Sequence, residues 1–193
     1  MIKSIRNFLA MLTMLVSVTA NATTDIYGTL LSGSFQPTVP FASLTYTNVG
    51  DVWSFSLSAF DLNSIFTDGA FIGALAVDQG SYAGLAPVIS NVVGDAPVSY
   101  SPGGGPTGIY DFRFDLTDGQ NRLTALETVS WDATFSAPIT LTSSSFAMQV
   151  QGLTDAQGGS AWYTPQVPEP GTYALMLVGL GLLGFTAKRR NLI

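Results

Sequence analysis

Any chemistry in this chain is done without imidazole or thiol, because its 193 residues include no histidine and no cysteine. That excludes Ser-His-Asp and Cys-His nucleophilic arrangements, and it excludes zinc sites of the Cys/His type. Carboxylates remain. A pair of them could cleave a glycosidic bond. Glu127 is the one glutamate between residues 23 and 167, and its aspartates mostly sit beside turns, where such side chains cap their own backbone. No carboxylate pair stands out, so the chain is not expected to be an enzyme. The best-spaced oxygen ligands are Asp111, Asp115, Asp118 and Asn121, gathered around Asp118-Gly119. Hard oxygen donors on a loop suit Ca²⁺, which extracellular modules bind weakly. The spacing is not that of an EF-hand loop, and Arg113 stands among these acids. A solvated acidic face is therefore the plainer reading, and calcium is carried as a candidate cofactor. Trp53 and Trp131 could stack on sugar rings, but both lie on alternating apolar faces and are expected in the core. Gly103-Gly104-Gly105 has no lysine and opens no helix, so it is no phosphate cradle.

The elements that would carry these residues read as strands. Trp53, Phe55, Leu57 and Ala59 alternate with serines. Tyr110, Phe112, Phe114 and Leu116 alternate with Asp111, Arg113 and Asp115, and similar alternation runs over 129–135 and 146–151. A period of two with one apolar face is the mark of a half-buried strand. Asn48-Val49-Gly50-Asp51 predicts a hairpin between strands near 41–47 and 52–59. Further strands are expected near 25–33, 71–78, 88–93 and 138–142, with helical turns over 60–68 and 120–126. Ser101 to Gly108 is expected to be a mobile loop. Short strands with frequent turns predict an all-β fold, an antiparallel β-sandwich of jelly-roll type, over residues 23–156. Residues 157–167, with Gly158-Gly159-Ser160 and Pro165, are expected to be a linker.

The ends carry a different message. Lys3 and Arg6, the apolar run Phe8 to Val18, and Ala20-Asn21-Ala22 make the three parts of an export peptide over 1–22. Signal peptidase would read Ala20 and Ala22 and leave Thr23 as the mature start. At the other end, Val167-Pro168-Glu169-Pro170 precedes an apolar run over 172–187 and then Lys188-Arg189-Arg190. As a helix that run would be about 24 Å long, close to a hydrocarbon core of about 30 Å once flanking residues snorkel. The basic triplet would stop transfer and stay cytoplasmic. The prolines offer no N–H and favour extended chain, which keeps the tripeptide out of the helix.

Together these features resemble the PEP-CTERM sorting signal of Gram-negative bacteria, over residues 168–193 with the export peptide as companion. The resemblance implies that Pro168, Glu169 and Pro170 are recognised by an exosortase, a membrane enzyme, after transient anchoring in the inner membrane. It implies removal of the helix and delivery to the cell surface or matrix. Proteins of this kind are associated with exopolysaccharide and biofilm, which implies a structural or adhesive role. The alternative is a carbohydrate- or calcium-binding module of the same matrix. Nucleic acid is excluded as a partner, because residues 23–167 hold two arginines against twelve acids, a net of −10 that repels phosphate. Without cysteine, the 145 residues between the two signals must be held together by burial alone.

Overall fold

The computed structural model describes residues 22–82 and 84–166. The expected export peptide through Asn21, and everything from Val167 onward, including the apolar run 172–187, lie outside the described residues. Among the described residues no helix is long and apolar enough to cross a membrane.

The alternation read from the sequence becomes a ladder of strands. β2 (Ala42–Val49) and β3 (Val52–Ala59) form the expected hairpin, joined by Gly50-Asp51, with Val49 opposite Val52 and Ala42 opposite Ala59. Their inward side chains, Leu44 and Tyr46 against Leu57 and Phe55, are buried, while Ser43, Thr45, Ser54 and Ser56 face outward. β1 (Thr23–Ser32) pairs with β2 on one side. β8 (Thr128–Thr134) pairs with β3 on the other and sets Trp131 opposite Phe55. The remaining strands are β4 (Phe71–Val77), β5 (Val88–Gly94), β6 (Ser99–Pro102), β7 (Phe112–Asp115), β9 (Phe146–Gln151) and β10 (Ser160–Pro165).

All ladders are antiparallel, and they join into one ten-stranded sheet in the order β5-β8-β3-β2-β1-β10-β9-β4-β7-β6. The expected all-β antiparallel class is what forms. The hydrogen-bonded pairing is continuous, however, so one sheet curls over on itself where two separate sheets were expected. The curl brings the halves face to face: Phe55 of β3 lies 5.5 Å from Phe114 of β7, and Tyr46 of β2 lies 5.0 Å from Phe146 of β9, between ring centroids. One large core results, with Trp131, Phe55, Phe112, Phe114 and Phe146 almost wholly buried. Register shifts in the β1/β10, β4/β9 and β5/β8 ladders supply the bend, since a bulge adds local twist. In β1 the bulge is stitched by one side chain. Gln36 accepts from the Leu30 N–H at 2.8 Å and donates to the Gly28 carbonyl at 2.6 Å, satisfying groups that the shift takes off the ladder.

Four local expectations are corrected. Residues 157–167 are not a linker: 160–165 form β10, a strand near the middle of the sheet, with Ala161 and Tyr163 buried. Its two inward residues stand behind Gly158 and Gly159, and a pattern so short reads as spacer until its neighbours are known. Residues 138–142 are not a strand, although Ile139 and Leu141 are buried as a strand's would be; no neighbouring strand pairs with them. Residues 120–126 hold no helical turn and instead make single bridges, Thr117 with Arg122 and Ile72 with Leu123. Ser101 to Gly108 is not an open loop. It contains the end of β6 and a 3₁₀ turn, and Gly105 sits at φ 118° so close to Tyr110 that a β-carbon would lie 2.8 Å from its ring. The turn expected in 60–68 does form, as α1 (Leu62–Ile65).

Candidate functional site

The acidic candidates are placed apart from one another. Asp111 lies just before β7, and its carboxylate accepts the Gln79 N–H at 2.7 Å. Asp115 ends β7 and is paired with Arg113 at 2.5 Å and with the Ser101 hydroxyl. Asp118 is exposed in the turn beyond, where it accepts from the backbone of Gln120 (2.9 Å) and Asn121 (2.7 Å) and from the Asn121 amide at 3.0 Å. The backbone and side chain of Asn121 hold the Asp118 carboxyl below its usual range, as a self-capped turn should. Asp111, Asp115, Asp118 and Asn121 therefore each serve local structure. Among the described residues no group of three or more acids converges on a point that could hold a metal ion. Glu127 also turns inward on its own loop, accepting the Thr124 N–H at 2.6 Å. Trp53 and Trp131 are 6% and 1% exposed, so neither offers a face to a sugar.

The other end of interest is where the two expected signals would join the body. Ala22, of the signal peptidase pair, is exposed directly before β1; Ala20 lies outside the described residues. Pro168, Glu169, Pro170, Lys188, Arg189 and Arg190 also lie outside them. β1 and β10 are antiparallel neighbours, with Tyr27 opposite Pro165, so the chain enters the sheet and leaves it at the same end. The last rung there is the Gln166 N–H donated to the Ile26 carbonyl at 2.7 Å. Among the described residues, β1 from Thr23 to Asp25 is paired with β2.

Beyond the end of β10 a notch of about 550 Å³ opens, lined by Asp25, Ser143, Ser144, Thr164 and Gln166 among others. Asp25 is 8% exposed. One of its oxygens accepts from the Ser143 hydroxyl at 2.6 Å, and the other, also buried, has no partner among the described residues. The Tyr46 hydroxyl stands 3.4 Å from Ser143. Burial raises the pKa of Tyr46 and raises that of the neighbouring Tyr27 well above the ordinary value, with the Asp25 charge adding to both. Asp25, Ser143 and Gln166 were not singled out from sequence. An acid and a serine separated by 118 positions carry no local signal of their meeting.

Residues 166–190 match the family model of the PEP-CTERM protein-sorting motif. That motif implies recognition by an exosortase, and export with membrane-anchored sorting in Gram-negative bacteria. No curated protein matches the chain. A solved chain described under the pH-induced modulation of Streptococcus parasanguinis adhesion by Fap1 fimbriae is similar over 79% of this chain and 98% of its own. The identity is 12% and the TM-score 0.38, at which the likeness carries no argument.

Proposed function

We propose that this chain is an exported protein delivered to the cell surface or extracellular matrix by exosortase processing, and that its β-domain serves there as structural or adhesive material and not as an enzyme. The observation that carries the reading is the sorting motif at residues 166–190. The body supports it in kind. Asp115 and Asp118 are engaged in a pair and a turn, Trp53 and Trp131 are buried, and the outward faces of β2 and β3 carry short hydroxylic side chains suited to a hydrated polymer. The export peptide over 1–22 and the membrane anchor over 172–187 complete the route, and exopolysaccharide is the partner proposed at its end.

Intact mass of the protein recovered from its own cells is the test. A species lacking residues 1–22 and ending between Pro168 and Gly171, seen with exosortase and absent without it, is expected. A chain that retains Ile193 in both strains would leave an ordinary tail anchor and end the sorting reading. Retention of the purified protein by isolated exopolysaccharide tests the second half, and passage straight through would remove the adhesive role.

A further inference from the structure

We propose that the slot between β1 and β9, which the chain fills with its own β10, also takes β10 of a second copy, so that molecules link by exchanging this strand. Chain order and sheet order are at odds here. β10 is the last strand of the described residues, yet it is paired on both edges, to β1, the first strand, and to β9. It joins the run β5-β8-β3-β2-β1 to the run β9-β4-β7-β6. Lifted out, it leaves two inner strand edges facing one another, each a template for an extended chain. Both walls of the slot come from residues earlier in the chain, so the slot is complete whichever molecule supplies the strand.

The slot selects this strand by shape. Ala161 and Tyr163 are its inward residues, and both are buried. Gly33, at φ 131°, lets Ala161 in: a β-carbon there would lie 2.6 Å from that of Ala161. Two residues on, Tyr163 packs against Phe41 and Phe66, and its hydroxyl reaches the Phe35 carbonyl. A partner therefore needs a small residue and, two positions later, a tyrosine in extended chain, which Ser160–Pro165 of another copy supplies. The strand also carries no charged residue, so it brings none of the body's negative charge into the joint. An exchanged β10 keeps all these contacts, and only the connection from β9 changes. That connection contains Gly152, Gly158 and Gly159 at φ 74°, 84° and 71°. Glycine passes between left-handed and extended backbone without steric cost, so the turn can open into a bridge between molecules. So short a connection holds the chain's own strand at an effective concentration of about millimolar. Exchange competes where copies are crowded to that range, and its use in a matrix rests on the function proposed above.

The absence of cysteine permits a clean test, because single introduced thiols report which chains are joined. Thr29 and Thr164 stand opposite one another in the β1/β10 ladder, and neither is buried. The full chain is purified in detergent from cells without exosortase, so processing does not enter the readout. Thr29→Cys and Thr164→Cys chains are mixed at about 1 mM, held in urea below the unfolding midpoint, returned to buffer and treated with a short bismaleimide. Only an exchanged strand brings the two thiols together. The cross-linked heterodimer should exceed by about tenfold that of Thr29→Cys mixed with Ser54→Cys, whose thiol sits on exposed β3, a strand not paired with β10. The double variant Thr29→Cys with Thr164→Cys should cross-link within one molecule when dilute and, once closed, should no longer exchange. A heterodimer yield no higher than the Ser54→Cys control, with the double variant closing as the ladder requires and tryptophan fluorescence showing the folded core, would overturn the proposal. Failure of the sorting reading would show separately, as a native chain that keeps Ile193 in its own cells.

Discussion

Asp25 is the residue on which the exit end of the domain balances. It is a buried carboxylate with one partner among the described residues, Ser143, which comes from the turn leading into β9. Ser143→Ala would leave both oxygens without a hydrogen bond and should cost about 1–3 kcal/mol, because a buried acceptor then loses its solvation uncompensated. Urea unfolding followed by tryptophan fluorescence reads this directly, and a change within error would show that water already serves the carboxylate. The exposed acids are expected to behave differently. Asp118 is satisfied by its own turn and Asp115 by Arg113 and Ser101, so neither has much to gain from a cation. Calcium at about 1–5 mM, the range of weak extracellular sites, should leave the melting temperature unchanged. A rise of several degrees would restore calcium as a ligand.

At the scale of elements, β10 matters most for what it joins. It lies between the first strand, β1, and β9, and it presents Tyr163 to Phe41 and Phe66 at 4.9 and 5.8 Å between centroids. The Tyr163 hydroxyl donates to the Phe35 carbonyl at 2.8 Å. Tyr163→Ala should therefore destabilise the domain by about 3–5 kcal/mol, as large-to-small changes of aromatic core residues do. A residue in a linker would cost almost nothing, and denaturant midpoints separate the two. The pattern of β2, β3, β7, β8 and β9 was legible because each alternates over several residues and one face is wholly apolar. β10 and the short β6 were not, because strands this brief owe their existence to neighbours already in place.

For the whole molecule the ionisable groups predict a broad stability plateau. Burial raises Tyr163 and Tyr27 above the usual tyrosine value, so the folded state keeps protons that the unfolded chain would release. That contribution is fully present below about pH 10 and is lost as pH rises further. On the acid side, hydrogen bonds from Asn91 and Ser54 lower Asp132, and Asn121 and Gln120 lower Asp118. A depressed carboxyl stabilises above its unfolded value and loses that stability as pH falls through its folded one, here below about pH 4. With no histidine to titrate between, thermal midpoints should be level from about pH 5 to 9. A step near pH 6.5 would contradict this, and tyrosinate absorbance should appear with unfolding at the alkaline edge. The sequence by itself determined the sorting motif at residues 166–190, because such a signal is contiguous and is read as linear chain. It also determined the all-β class, because a period of two is a local property. Only the tertiary structure decided that the chain enters and leaves at one end of a single curled sheet, that the supposed tether is a strand, and that Asp25 meets Ser143. Each of these depends on which distant segments become neighbours, and pairing across a hundred residues is settled by the packing of the whole core.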